Sequence, residues 1–274
     1  MKKFFYAACI WLGLAGCSNH APINEGEPRV IQFNLLTVEQ LPMSRAALKD
    51  ACTALDYYRY TDGVQTGSKQ STSADADFGT FSDEMPWGTH NLYFIGHKSE
   101  VTDFTNGVAT FDKVSDTFTH HLTLTVDGDT QTNQTFTLGR SVAKFELQAT
   151  DALPDNLASV VITITGAAKS VDVTTGLGGA EVVQTKTIEV PANNIGKKNC
   201  KFSAYLFLPD GVTSVHIEAL AQDTEGNEIV TLEFEDVEVQ TNYITRYKGQ
   251  VFGRTPKFEI SVDDSWIGEK EFEF

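Results

Sequence analysis

Along most of this chain apolar and polar residues alternate with a period of two, in short runs separated by polar turn signals. That period places successive side chains on opposite faces of a strand. The pattern predicts strands around 29–38, 55–60, 91–96, 122–126, 142–147, 160–165, 202–208, 215–222, 230–234 and 258–262. Thr61-Asp62-Gly63, Asp127-Gly128-Asp129, Pro209-Asp210-Gly211 and Glu225-Gly226-Asn227 read as tight turns between them. Phe136 and Leu138 are expected on the hairpin partner of the strand at 122–126. The polar stretch 65–77 reads as a loop. Residues 41–54 carry a brief helical run, Ala46-Ala47-Leu48-Lys49-Asp50-Ala51, with Pro42 ahead of it. It is too short to stand unsupported, so a helical turn or an irregular connection is expected. The fold class read from this pattern is all-β, of β-sandwich type.

Only the N-terminus departs from alternation. Lys2 and Lys3 precede an apolar run over 4–14, and Leu14-Ala15-Gly16-Cys17 follows. A basic start, an apolar segment of this length and small residues before a cysteine make a bacterial lipoprotein signal peptide, 1–16, with Cys17 as the acylated first mature residue. Acyl chains contribute about 0.8 kcal/mol per buried methylene, so several on one cysteine anchor a protein stably. Residues 17–28 read as a flexible tether. The remaining length suits two domains of ordinary size or one large one; the division read is 29–147 and 148–274, with the break expected near 147–157.

The formal charge of −16 becomes −18 once Lys2 and Lys3 are removed, which argues against nucleic acid as a partner. Of four cysteines, Cys9 lies in the signal and Cys17 is the lipid site. Cys52 and Cys200 remain, either bridged or as two separate buried thiols. No catalytic, metal or cofactor site is expected. The sequence has no nucleophile elbow, zinc helix or phosphate loop, and Gly176-Leu177-Gly178-Gly179 lacks the strand–helix setting of a dinucleotide site. His120 and His121, adjacent on a strand, point to opposite faces. Asp75, Asp77, Asp83 and Glu84, and the Asp127–Asp129 turn, lack regular calcium-ligand spacing. Trp87, Trp266 and the Tyr57-Tyr58-Tyr60 cluster would make a carbohydrate platform only if exposed.

Several stretches, taken in order, resemble the fimbrillin family of type V pili, especially its anchor and accessory lipoproteins. They are the lipobox, the strand at 30–36, Ser44-Arg45-Ala46, Met85 to Tyr93, Asp116-Thr117-Phe118, Leu138-Gly139-Arg140-Ser141-Val142-Ala143-Lys144 and the segment from Asn242 to Gly253. The resemblance implies two transthyretin-like β-sandwich domains, export to the outer membrane and assembly with other fimbrial subunits by strand exchange. In stalk subunits of that family a trypsin-like protease cuts after an arginine and releases the first strand, and a neighbour's strand refills the groove. Arg45 is the candidate cleavage site here, with an ordinary surface arginine as the alternative; Arg29 is a second, but cutting there would leave the strand in place. Anchor subunits stay uncut.

The residues expected to carry exchange are Val30, Phe33 and Leu35. The segment 269–274 has the alternation to fill a neighbour's groove or to pair within its own domain. The resulting expectation is a non-enzymatic, lipid-anchored subunit at the outer membrane, on the cell surface or in a fimbrium. The alternative is a monomeric surface lipoprotein that binds glycan or host protein through its loops.

Overall fold

The computed structural model describes residues 26–36, 45–253 and 256–263. Cys17, the signal peptide and the segment 269–274 lie outside them. The first half contains β1 (Arg29–Leu36), α1 (Arg45–Ala51), β2 (Ala54–Thr61), β3 (Val64–Thr72), β4 (Thr80–Met85), β5 (Gly88–His97), β6 (Val101–Thr105), β7 (Val108–Phe111), β8 (Thr117–Val126), β9 (Asn133–Thr137) and β10 (Gly139–Arg140). The second contains β11 (Ala143–Ala149), β12 (Leu157–Ala168), β13 (Ser170–Asp172), β14 (Glu181–Glu189), β15 (Cys200–Leu206), β16 (Ser214–Asp223), β17 (Glu228–Glu238), β18 (Ile244–Gln250) and β19 (Lys257–Asp263).

In the first half, the sheet β4-β1-β9 faces the sheet β10-β8-β5-β2-β3. Ile31, Phe33, Tyr57, Phe81, Phe94 and Phe118 lie in the core between them. In the second half, β15-β11-β18-β19 faces β14-β12-β16-β17, around Phe145, Leu147, Ile162, Phe202, Ile217 and Phe234. Alternation accounts for these faces directly. On β16, Val215, Ile217, Ala219 and Ala221 are buried, while His216, Glu218 and Gln222 are at most half-buried on the other face. The architecture is an all-β sandwich.

A fifth sheet, β13-β7-β6, joins strands from both halves. Ser170, Val171 and Asp172 pair with Thr110, Ala109 and Val108. Beside it Tyr93, Ile95, Phe111, Val142, Tyr205 and Phe207 form a core shared across the seam. This explains the unbroken apolar run Leu92-Tyr93-Phe94-Ile95: Leu92 and Phe94 enter the first core, Tyr93 and Ile95 the seam. A strand covered on both faces has no polar side to alternate with. The sheets change over between β10 and β11. The break expected at 147/148 falls inside β11, whose residues Ala143 to Ala149 all pair with β15.

Two local expectations are corrected. The supposed loop at 65–77 contains β3, which pairs with β2 along its length as the edge of its sheet. Its Thr and Gln side chains and Ser68 stay exposed, with Ser71 buried, because the strand contributes backbone hydrogen bonds rather than apolar burial. The turn ahead of it forms as expected, with Asp62 and Gly63 both at positive φ. In addition, β9 is no hairpin partner of β8. It crosses to the opposite sheet and runs parallel to β1, which brings Phe136 onto Phe33 and Phe94 from the other layer. The short helical run is realised as α1, seven residues long.

Candidate strand-acceptor site

The first strand lies in the middle of its sheet. β1 pairs antiparallel with β4, from Arg29 opposite Met85 to Asn34 opposite Thr80. It pairs parallel with β9, from Gln32 opposite Asn133 to Leu36 opposite Thr137. Ile31, Phe33 and Leu35 point inward and are fully or nearly fully buried. The ring of Phe33 sits 5.7 Å from Tyr57 and 5.4 Å from Phe94. Val30 is 59% exposed, so its expected place in the core belongs to Ile31. The strand's parity settles this: Phe33 and Leu35 share a face with residue 31 and not with residue 30. At the strand's start, Arg29 donates to the carbonyls of Asp127 and Gly128 and fixes the turn leading towards β9.

Beneath this strand, a buried polar network ties the two layers. Asp83 on β4 accepts from the Tyr57 hydroxyl at 2.9 Å and from Arg59 at 2.9 Å, both on β2. Burial first, then the Asp83 charge and its hydrogen bond, raise the Tyr57 pKa far above the ordinary range. Each of Asp83's partners satisfies a group that would otherwise be buried unpaired, so the network fixes how β4 sits over β2.

Removing β1 would open this core between β4 and β9. Burial of its three inward side chains contributes about 1.5–3 kcal/mol each, and both neighbours would present unpaired strand edges. A replacement strand would need large apolar residues at alternate positions to fill the pockets of Ile31, Phe33 and Leu35. Arg45 begins α1, with 37–44 between it and β1.

The other candidate residues have structural employment. His120 stacks on Phe136 at 4.4 Å and His121 packs on Tyr93 at 4.8 Å, on opposite faces of β8. Burial lowers the pKa of both. Asp75 accepts hydrogen bonds from Ser71 and Thr72, and Asp127 from Thr130 and the Asp129 amide. Both carboxyls are thereby held below the usual range. The tyrosine cluster is spent on packing. Tyr57 is in the first core, Tyr60 in the seam, and Tyr58 stacks on Phe104 at 3.9 Å. Trp87 is half-buried, lying against Gly26 and Gly128; Trp266 is outside the described residues. Cys52 and Cys200 are two separate buried thiols in different cores. Among the described residues no cluster of His, Cys, Asp and Glu could hold a metal ion, and no helix is long and apolar enough to cross a membrane.

Three of the sequence stretches behind the family resemblance meet in space. Arg140 grips Asp116 with two hydrogen bonds, at 2.7 and 2.9 Å, and reaches Asn242 at 3.2 Å. The Asn242 amide donates to the Val142 carbonyl, and the Lys144 amide to that of Tyr243. Leu138 to Lys144 and Asn242 to Gly253 therefore build the junction between the halves together. Further along β11, Glu146 lies opposite Arg246 of β18 and bonds it, with Lys144 and Lys201 also within salt-bridge distance.

Solved structures with this fold include a candidate cell adhesion protein from Bacteroides ovatus, at 15% identity and TM-score 0.51, covering 88% of this chain and 99% of that one. A candidate polysaccharide-binding protein (DUF1812) from Bacteroides thetaiotaomicron has 10% identity and TM-score 0.51, covering 81% and 92%. A candidate cell adhesion protein from Bacteroides uniformis has 15% identity and TM-score 0.50, covering 87% and 99%. At these identities the likeness is one of fold. No curated relative matches. The model of a family of unknown function (DUF6562) matches residues 75–273, and the chain belongs to that family.

Proposed function

We propose that this DUF6562 member is a cell-surface fimbrial subunit of anchor or accessory type, held on the outer membrane by an acylated Cys17, with no catalytic role. The observation that carries the reading is the setting of β1. An N-terminal strand clasped between β4 and β9, with Ile31, Phe33 and Leu35 in the core, has the setting that a separable plug in an acceptor groove would need. Main-chain pairing along such a groove supplies affinity for an incoming strand, and the three pockets supply specificity. The fold shared with candidate adhesion proteins supports a surface role, and the lipobox supports the anchor.

Intact-mass and N-terminal analysis of the protein from its native membrane tests this. A chain that starts at acylated Cys17 is the expected anchor form. A start at Ala46 would instead identify a processed subunit whose groove has been emptied. Any other start without acylation would overturn the lipoprotein reading.

A further inference from the structure

A groove of about 590 Å³ opens at the seam between the halves. One wall comes from the edge formed by β8 and β10. The other is the turn after β13, residues 173–177, with Thr241 at the rim. Six of its lining side chains carry hydroxyls: Thr119, Thr137, Ser141, Thr174, Thr175 and Thr241. Among the described residues that line it there is no carboxylate, in a chain with 37 acidic residues against 21 basic ones. The guanidinium of Arg140 is already committed to Asp116. Such a lining offers many neutral hydrogen-bonding groups and little net charge.

The site is also built in advance. Thr119 and Ser141 bond each other at 2.6 Å and are only 8% and 2% exposed. Whichever hydroxyl accepts in that pair keeps its own O–H to donate elsewhere. Asp172 pins the opposite wall through the amides of Thr174 and Gly176. The Val173 amide ties that wall to the Gly107 carbonyl of the first half. Gly176 takes a positive φ there, and a Cβ on it would lie 3.7 Å from the Ser141 hydroxyl. Leu177, 36% exposed, adds an apolar patch. His120 and His121, kept neutral by burial, border the cleft from the two faces of β8; one ring nitrogen of His121 bonds the Asn91 side-chain carbonyl at 3.3 Å, and the other is left for a ligand.

We propose that this seam cleft binds a neutral, hydroxyl-rich ligand of saccharide size. Its volume is that of an ordinary small-molecule site. Its mixture of hydroxyls, imidazoles and two aliphatic side chains, Val173 and Leu177, suits a sugar's polar edge and C–H face. An anionic ligand would find no uncommitted cation among these lining groups. The inference does not rest on strand exchange, since neither the lining nor its test involves releasing β1.

The test is an NMR titration of the full chain, at constant pH, with lactose, maltose and cellobiose, following the ring resonances of His120 and His121. Saturable shifts with a Kd of about 0.1–10 mM for at least one sugar are expected. Thr241→Trp, which fills the cleft, and Leu177→Asp, which charges it, should each weaken binding about tenfold or more. Thr66→Trp, on the distant edge strand β3, should leave it unchanged. The proposal fails if no sugar gives a saturable shift, if the two cleft variants bind like the parent chain, or if sodium glucuronate titrates the same resonances more tightly than every neutral sugar. The first-strand reading would survive each of those failures.

Discussion

Phe33 and Val30 are three residues apart and differ completely in what they support. Phe33 lies among Tyr57, Phe94 and Phe136, so Phe33→Ala should cost about 3–5 kcal/mol in urea unfolding. Val30→Thr, on the outer face, should stay within about 0.5 kcal/mol. Cys52 offers a chemical check on the same core. Burial, with a lesser push from Asp116, raises its thiol pKa from 9.0 to about 12. Thiol-reactive dye at pH 8 should therefore label Cys52 only when the chain is unfolded. The unfolded thiol ionises near 9 and the folded one near 12, so this group leaves stability unchanged below pH 9. Above that the unfolded state loses its proton first, and stability should fall as pH rises towards 12, which a pH series of thermal melts would detect.

At the scale of elements, pairing decides more than composition does. β3 has few apolar residues yet forms a full edge strand, because β2 offers an unpaired ladder beside it. β9 leaves β8 and crosses the sandwich because the vacancy beside β1 fits its backbone and Phe136 fills the space over Phe94. The short β10 matters through Arg140, which joins it to Asp116 and to Asn242 at the start of the turn before β18. Arg140→Ala would leave the nearly buried Asp116 without its bidentate partner, and should cost about 3–5 kcal/mol. Arg140→Lys keeps the charge but not the fork, so its loss in a denaturant titration should be smaller.

At the scale of the molecule, the seam sets cooperativity. β13 pairs with β7 across it, and Phe207 packs on Phe111 at 5.4 Å. The two halves should therefore melt in one calorimetric transition. Phe207→Ala, which removes the central aromatic from the shared core, should separate it into two or broaden it clearly. An unchanged single transition in that variant would mean that the backbone pairing alone couples the halves.

The strand period, the Asp62-Gly63 and Asp210-Gly211 turns, the inward faces of β12 and β16, and the first strand's apolar content are all legible in the amino-acid order, because each depends only on neighbours along the chain. Tertiary structure decided the rest. Val30-Ile31 and Leu35-Leu36 are apolar doublets, so either face of β1 was open until the aromatic layer of Tyr57 and Phe94 claimed the odd positions. Tyr93, Ile95, Tyr205 and Phe207 stand out of phase with the sandwich cores, a signal in the sequence that both faces are covered. What covers them is sheet pairing between distant segments, and a periodic pattern carries no record of its partner.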